Sequence, residues 1–419
     1  MTVPQFFRDH MRRPMEVPVR EMQEATDQAL PPPTVPNARE KVLSGRWLNP
    51  GQTSSLPWRL SSKPAWSVAW KQRLTIGGKL KGIQLTRNRA LAHSSDAWEL
   101  LRARDGKHIT SRRLGPSDVF IHPDGRSFFY EDLPPEALIC RSLRTGAELF
   151  ATTLSLAGDL QRTHFSILPD GRFVAAGSAP PMSAQGRPGT IAGLVTWSFG
   201  DRPRTNEIGL LSTGKRCQVL NHDSHSFHAV RSRDGFVIAV NGAIAFANPD
   251  LELSSLITTE PTEPLWLSVD LADRIHLVLR EESGDFAYWL LSPTGARCAR
   301  TGWPSSEGST MAPPIVGQDL QIYLVFSQHV VCLGTWGERA WTVEVPEPIG
   351  GAAVSADGSL LVSAGHDVMT CRTENDIVRT TTLATLEGTP LSTAPVLAPS
   401  GRMLVASQSH LYALQSRRA

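Results

Sequence analysis

"IHPDGRSFFY" at residues 121–130 and "ILPDGRFVAA" at residues 167–176 place the same Pro-Asp-Gly-Arg turn between two apolar runs. Gly, Asp and Asn are typical of the tight turns that join neighbouring β-strands, because they accept the positive φ angles that such turns need. The pattern recurs along the chain, each time around one marker residue. The markers are Asn88, Asp124, Asp170, Asp234, Asp273, Asp319, Asp357 and Ser400.

The spacing of the markers predicts the repeating unit. Successive markers lie 36, 46, 64, 39, 46, 38 and 43 residues apart, and a second turn follows most of them. Each repeat therefore has room for four short strands and two hairpins, which is the unit of a β-propeller blade of about 40–50 residues. Eight markers predict eight blades. Seven blades is the alternative, because the copy at Asn88 is degenerate and close to the next one.

The two ends of the repeat region predict how the propeller closes. After Ser400 the chain has room for few strands before it stops at Ala419, so the last blade lacks its outer strand. Residues 65–76, "AWSVAWKQRLTI", resemble the outer-strand sequence "ERAWTVEV" at 338–345. We predict that residues 65–76 complete the last blade and close the ring, which removes an exposed sheet edge.

The repeats resemble those of quinoprotein-type (PQQ-like) propellers. The residues that carry the resemblance are "HVVCLGTWGERAWTVEV" (329–345), "APVLAPSGRMLVASQSHLYALQ" (394–415) and "PAWSVAWKQRL" (64–74). It is strongest in residues 308–415 and 64–76, whereas the middle turns look equally like WD40-type repeats. The resemblance implies an all-β fold with a single closed β-propeller, residues 64–419, behind an irregular N-terminal extension, residues 1–63. A shared fold does not by itself give a function.

Composition excludes several classes of function. The formal net charge is +2 and no block of like charge stands out, so the basic footprint of a nucleic-acid binder is missing. No apolar run is long enough to span a membrane, and the N-terminus lacks the apolar core of a secretory signal. Five Cys without C-x-x-C spacing fit a reduced compartment, so we expect a cytoplasmic protein. No cofactor is predicted.

The N-terminal extension allows two interpretations. Three consecutive prolines at 31–33 favour an extended spacer, and residues 20–30 could form a short helix. Trp47, Trp58 and Leu60 lie between turn residues further on. The segment is either a strap over the edge of the propeller or a docking arm that uses these apolar residues to bind a partner protein.

Candidate residues for chemistry lie six positions before the markers. This position begins the innermost strand of a blade, near the mouth of the central channel, and it holds Asp118, His164 and His228 in three neighbouring blades. These side chains could bind a metal or another ligand, or one His could act as a base that Asp118 orients. The alternative is that they merely line a wet channel. His222, His225 and His228 are three apart, which fits a solvated loop better than a metal site.

Three cysteines occupy nearly the same strand position in different blades. Cys140, Cys332 and Cys371 lie 16, 13 and 14 residues after their markers. We interpret them as small buried core residues, because equivalent positions in different blades are too far apart for a disulfide.

These observations favour a non-enzymatic scaffold or adaptor that binds other proteins in a bacterial multi-protein assembly. The neutral charge and the lack of a paired-carboxylate or nucleophile motif support it. One alternative is a metal-dependent hydrolase or lactonase-like propeller with its site at the channel mouth. Another is a quinoprotein-like enzyme, although such enzymes are usually exported and stack a Trp on their quinone.

Overall fold

A computed structural model describes most of the repeat region and a short N-terminal segment. The described residues are 19–24, 66–76, 79–86, 88–113, 119–121, 126–132, 137–153, 161–167, 173–179, 190–199, 210–221, 227–232, 235–240, 242–248, 253–270, 272–317, 319–355, 358–374, 377–397 and 401–416. Their regular structure is β-strand, apart from one 3-10 turn at Ser305–Glu307, which confirms the all-β class. No helix in these residues is long and apolar enough to cross a membrane.

The strands, numbered in chain order, form eight sheets in this part of the chain. Sheet 1 contains β3 (Leu80–Leu85), β4 (Arg89–Ser94), β5 (Ala97–Arg102) and β6 (His108–Arg113). Sheet 2 contains β7 (Val119–Ile121), β8 (Ser127–Asp132), β9 (Ala137–Ser142) and β10 (Glu148–Thr153). Sheet 3 contains β11 (Gln161–Ile167), β12 (Phe173–Ala179), β13 (Thr190–Phe199) and β14 (Leu210–Asn221). Sheet 4 contains β15 (Phe227–Ser232), β16 (Gly235–Val240), β17 (Ala243–Ala247), β18 (Leu253–Thr258) and the N-terminal β1 (Val19–Glu21).

The other four sheets follow the same plan. Sheet 5 contains β19 (Thr262–Val269), β20 (Ile275–Glu281), β21 (Phe286–Leu291) and β22 (Arg297–Trp303). Sheet 6 contains β23 (Ile315–Val316), β24 (Ile322–Val325), β25 (His329–Leu333) and β26 (Arg339–Glu344). Sheet 7 contains β27 (Ile349–Val354), β28 (Leu360–Ala364), β29 (Asp367–Glu374) and β30 (Ile377–Thr385). Sheet 8 contains β31 (Val396–Leu397), β32 (Arg402–Ala406), β33 (His410–Ser416) and β2 (Trp66–Arg73).

Sheet 8 joins the two ends of the repeat region. Strand β2 pairs antiparallel with β33, from Trp66 opposite Ser416 to Arg73 opposite His410. The pairing predicted between residues 65–76 and the last blade is therefore present, over residues 66–73. The N–H of Leu74 extends it by donating to the carbonyl of Ser409 at 2.8 Å.

The apolar core lies between the sheets rather than inside any one of them. The middle strands are buried on both faces, as in β21, whereas the fourth strands, such as β6, are largely exposed. Six apolar clusters each join two neighbouring sheets: 4 with 5, 5 with 6, 6 with 7, 7 with 8, 8 with 1, and 1 with 2. Sheets that stack in chain order in this way form a propeller-like arrangement.

The cysteine interpretation is confirmed. Cys140, Cys332 and Cys371 lie on the third strands β9, β25 and β29, and all three are buried.

We call the turn between the first and second strands of a sheet its inner turn, and the turn between the third and fourth strands its outer turn.

Outer turns lie against the fourth strand of the preceding sheet. Gly106, in the outer turn of sheet 1, has φ of 72°, and a Cβ added to it would be 2.6 Å from the Trp70 ring of β2. Gly337, in the outer turn of sheet 6, has φ of 85°, and an added Cβ would be 2.7 Å from Ala299 Cβ of β22. Strand β2 therefore has the same relation to sheet 1 as β22 has to sheet 6.

Part of the N-terminal extension pairs with the rim of the repeat region. Strand β1 runs parallel to β18, and the Met22 N–H donates to the carbonyl of Thr258 at 3.0 Å. Sheet 4 thus has five strands rather than the four predicted. The short helix proposed for residues 20–30 is wrong over 20–24, because the backbone finds its partners on a neighbouring strand instead of within the segment.

The docking of the outer turns makes a prediction about Gly106. Gly106→Ala should lower the free energy of unfolding by about 2–5 kcal/mol, because backbone strain at positive φ adds to a steric clash with Trp70. The control is Gly284→Ala, where φ is 89° but no atom lies within 4 Å of an added Cβ. Urea denaturation measures both. Equal losses in the two variants would mean that sheet 1 does not rest on β2.

Candidate functional site

Arginines that follow the inner turns join neighbouring sheets. Arg402 of sheet 8 donates from Nη1 to the carbonyl of Arg104 in the outer turn of sheet 1. Arg89 of sheet 1 donates from Nε to the carbonyl of Leu143, in the outer turn of sheet 2, at 2.9 Å. We call this contact, from an arginine after an inner turn to a carbonyl in the next outer turn, the inter-sheet lock. It gives turn carbonyls at the junction a hydrogen-bond partner on the neighbouring sheet.

Sheet 5 has the most buried inter-sheet lock of those described. The guanidinium of Arg274 donates to the carbonyls of Leu320, at 3.3 Å, and Thr335, both in turns of sheet 6. Its Nε also donates to Asp270 Oδ2 at 2.6 Å, and the two side chains are only 5% and 1% exposed. The carboxylate holds the guanidinium in place, so that the charge is neutralised where it leaves water.

Two further side chains complete the sheet 5 network. His276 Nε2 lies 3.0 Å from Asp270 Oδ2, and His276 Nδ1 lies 2.8 Å from the Tyr288 hydroxyl. Burial lowers the pKa of His276 from its ordinary value of 6.5, despite the neighbouring carboxylate. Burial alone would raise the pKa of Asp270, but its contacts with His276 and Arg274 hold it below the usual value of 3.8. The network is enclosed between sheets 5 and 6, so its hydrogen bonds and ion pair stabilise the contact between these two sheets.

The junction between sheets 6 and 7 is built differently. Gln321 stands where an inter-sheet lock needs arginine, and the outer turn of sheet 7, "TENDI" at 373–377, has no glycine. A cleft of about 390 Å³ opens there. Its lining residues are Asp319, Gln321, Tyr323, Trp341, Gly358, Cys371, Arg372 and Thr373. This cleft is the candidate functional site.

The cleft contains the carboxylate of Asp319, which lines it together with Arg372. Asp319 Oδ1 accepts a hydrogen bond from the Gln321 N–H at 3.2 Å, and no ion pair is found for it among the described side chains. Partial burial raises the pKa of the Asp319 carboxyl above its usual value of 3.8. A bound cation would offset this unfavourable desolvation of the carboxylate.

Neutral groups occupy the rest of the sheet 6 wall. The Tyr323 hydroxyl donates to Gln321 Oε1 at 3.1 Å, and burial raises its pKa well above 10. The Tyr323 and Trp341 rings are 5.8 Å apart. Across the cleft, on β29 of sheet 7, burial raises the pKa of Cys371 to about 11, so its thiol is protonated at neutral pH and is a poor nucleophile.

On the sheet 7 side the charge is positive. Arg372 donates from Nε to the Ser359 hydroxyl, a contact within its own sheet. The cleft therefore presents one carboxylate from sheet 6 and one guanidinium held against sheet 7.

None of the site residues predicted from the sequence lines the cleft between sheets 6 and 7, and their side chains are outside the described residues. His164 and His228 are on β11 and β15, the first strands of sheets 3 and 4, as the spacing predicts, but their side chains are outside the described residues. Asp118, Trp47, Trp58, Leu60, His222 and His225 are also outside them. Whether Asp118, His164 and His228 converge at a channel mouth stays a prediction.

Sequence reasoning missed the inter-sheet locks although the signal was present. The arginine of the two opening Pro-Asp-Gly-Arg turns, Arg126 and Arg172, recurs directly after the turn as Arg89, Arg274 and Arg402. Three repeats lack this arginine and carry Phe236, Gln321 or Ser359 in its place, and of these Gln321 lines the cleft. Only the structure shows which carbonyl each arginine reaches.

Comparisons with known proteins support the fold. No family model matches the chain, and no curated protein matches it. Among solved structures, the Dos1 propeller is similar with a TM-score of 0.61 and 8% identity, over 84% of this chain and 95% of that chain. This likeness shows a propeller-like fold and nothing further.

Two other solved structures have lower scores. The β-propeller domain of Cps50 (Swd1) from Myceliophteria thermophila has 9% identity and a TM-score of 0.43, over 84% of this chain and 100% of that chain. The WD40 domain of Pan2 from Neurospora crassa has 10% identity and a TM-score of 0.43, over 86% of this chain and 98% of that chain. The quinoprotein-type side of the sequence resemblance gains no support from these three structures.

The buried histidine predicts a pH dependence of stability. His276 in the unfolded chain takes up a proton near pH 6.5, whereas in the folded protein it does so only at lower pH, so acidification below about pH 6.5 favours unfolding. The free energy of unfolding should fall with decreasing pH in that range, and His276→Gln should make the fall shallower. The control is His366→Gln, because His366 is exposed. An unchanged slope in the His276 variant would contradict the assignment of a neutral buried imidazole.

Proposed function

We propose that the protein is a non-enzymatic β-propeller scaffold that binds other proteins, built as a closed ring of eight sheets over residues 64–419. The uninterrupted series of inter-sheet cores from sheet 4 through sheet 8 to sheets 1 and 2 supports the ring. Strand β12 of sheet 3 also contacts β15 of sheet 4. Pairing of β2 with β33 supports closure at the chain ends.

The observation that carries the proposal is how the rim binds an extended segment. Residues 19–24 add a strand to sheet 4 and then reach sheet 5, where the Arg297 N–H donates to the carbonyl of Gln23 at 2.9 Å. Arg297 Nε also donates to Glu24 Oε1 at 2.8 Å. Main-chain pairing with a sheet edge plus a side-chain ion pair is a recurring way for a protein to bind a peptide. The outer edges of other sheets offer the same backbone groups.

The use of buried polar groups is consistent with a scaffold. The buried carboxylate, imidazole and guanidinium of sheet 5 bind one another and the turns of sheet 6. Glu99, buried in sheet 1, accepts hydrogen bonds from the Thr75 N–H at 2.6 Å and the Thr75 hydroxyl at 3.0 Å, where the chain leaves β2. These groups stabilise contacts between sheets, and such a role needs no substrate.

The finer parts of the proposal concern location and partners. We propose that the chain works in a multi-protein assembly in the bacterial cytoplasm and that residues 1–63 form an N-terminal extension to the propeller of residues 64–419, with residues 19–24 attached to its rim. Trp47, Trp58 and Leu60 would bind a partner there, because a proline-rich segment buries too little apolar area alone to offset its ordering entropy. Asp118, His164 and His228 are proposed as a ligand site at the channel mouth. Elemental analysis of the purified protein tests whether that ligand is a metal, which would favour a hydrolase-like propeller instead.

A truncation pair tests the scaffold proposal. Deleting residues 1–63 should leave the sheets folded, because β2 begins at Trp66, and should abolish complexes that depend on Trp47, Trp58 and Leu60. Deleting residues 1–18 is the control, because it keeps β1 on sheet 4. Thermal unfolding checks the fold, and light scattering after size exclusion measures each complex isolated from the source cells.

The outcomes separate the alternatives. If the longer truncation still recovers every partner, the partners bind the sheets and the extension is a strap. If the full chain forms no stoichiometric complex with any protein, the scaffold proposal is wrong.

A further inference from the structure

The inner turns of sheets 5 and 6 have the same backbone hydrogen bonds. In sheet 5 the Asp270 N–H donates to the Arg274 carbonyl at 3.0 Å, and in sheet 6 the Gly317 N–H donates to the Gln321 carbonyl at 2.9 Å. The left-handed residue of each turn, Asp273 with φ of 60° and Leu320 with φ of 64°, directly precedes Arg274 or Gln321. The two turns can therefore be compared position by position.

The carboxylate of the network is kept in sheet 6 but comes from a different residue. Gly317 replaces Asp270, and a Cβ added to Gly317 would collide with Asp319 Oδ1, so the Asp319 carboxylate occupies the space of the missing side chain. Asp319 Oδ1 accepts from the Gln321 N–H at 3.2 Å, as Asp270 Oδ1 accepts from the Arg274 N–H at 2.9 Å. The anionic part of the network is thus present in both sheets.

The cationic part is missing. Gln321 replaces Arg274 and Tyr323 replaces His276, and both replacements are neutral. The hydroxyl of Tyr323 is engaged with Gln321 Oε1 and the Gly358 carbonyl, at 3.1 and 3.3 Å. The result is a carboxylate at the mouth of an open cleft, at the place where the neighbouring junction holds a guanidinium.

From this comparison we infer that the cleft between sheets 6 and 7 binds an arginine side chain presented by a partner protein. The inference deepens the scaffold proposal and rests on it for the source of the arginine. The bound guanidinium would pair with Asp319 and complete from outside the inter-sheet lock that this junction lacks.

The lining favours a guanidinium over other cations. Arg274 shows the geometry, with one guanidinium bridging a carboxylate and two turn carbonyls. Such a planar fork of donors is specific to arginine, whereas lysine offers a compact charge. The Trp341 ring beside the cleft adds a face for cation–π contact. On the opposite wall, the Arg372 guanidinium donates to the Ser359 hydroxyl. Its positive charge repels a bound cation, so only a cation that pairs directly with the Asp319 carboxylate is favoured in the cleft.

Binding is tested with short peptides and the full chain. The probe is acetyl-Gly-Gly-Arg-Gly-Gly-amide, titrated by calorimetry or by chemical-shift changes of the Trp341 indole. Peptides with lysine or citrulline in place of arginine are the comparisons. The arginine peptide should bind saturably and at least about tenfold more tightly than either, because citrulline keeps the shape but loses the charge. Equal binding of arginine and citrulline peptides would overturn the inference.

Two variants locate the site. Asp319→Asn should weaken binding by at least about tenfold, since it removes the charge but keeps the shape. Gln321→Arg should restore the internal inter-sheet lock, fill the cleft and abolish binding while raising the melting temperature. The control is Glu282→Gln, an exposed carboxylate at the far end of the sheet 5 strands. If Gln321→Arg folds and still binds the peptide with unchanged affinity, the site lies elsewhere and the inference is wrong.

The two proposals can fail separately. If the arginine peptide does not bind but the chain forms stoichiometric complexes, only the arginine site is refuted. If the peptide binds as predicted but no complex forms in the source cells, the cleft stands and the scaffold proposal falls.

Discussion

At three junctions between neighbouring sheets, an arginine after an inner turn donates to a carbonyl in the next outer turn, and the placement of one sheet on the next depends on this contact there. A stack of small twisted sheets has its apolar core only between the sheets, and apolar contact alone does not fix how one sheet is placed on the next. The directional bonds of Arg89, Arg274 and Arg402 fix that placement at the ends of the strands. The outer turn is also set against the fourth strand of the preceding sheet by its glycine.

The chain ends follow from the same requirement. Sheet 8 has only three strands of its own, and β2 supplies the fourth, with Trp70 against Gly106 and Arg402 bound to the turn of sheet 1. The junction between sheets 8 and 1 therefore carries both contacts that the junction between sheets 5 and 6 carries. Strand β1 covers the edge of sheet 4, where an unpaired strand would expose its backbone groups.

Local sequence signals predicted the local structure well and the lateral contacts poorly. The turn around Asp319, the strands beside it and the pairing of residues 66–73 with the last blade all follow from patterns of apolar residues and turn residues. The cleft did not follow, because it results from two substitutions, Gln321 and Gly317, whose meaning depends on the equivalent positions in the neighbouring sheet. The strand at residues 19–21 could not be predicted either, since its hydrogen-bond partners lie more than 230 residues away in the chain.

The central claim is that the buried arginine contacts hold neighbouring sheets together, and Arg274 tests it most directly. The free energy of unfolding should be measured by urea denaturation for Arg274→Met and for Arg280→Met, a half-exposed arginine on the same sheet. Removing Arg274 takes the guanidinium from the buried Asp270 carboxylate, which keeps its contact with His276, and from two turn carbonyls, so we expect a loss of about 3–5 kcal/mol. Removing Arg280 should cost less than about 1 kcal/mol, as for other exposed ion pairs. Equal small losses in both variants would contradict the account.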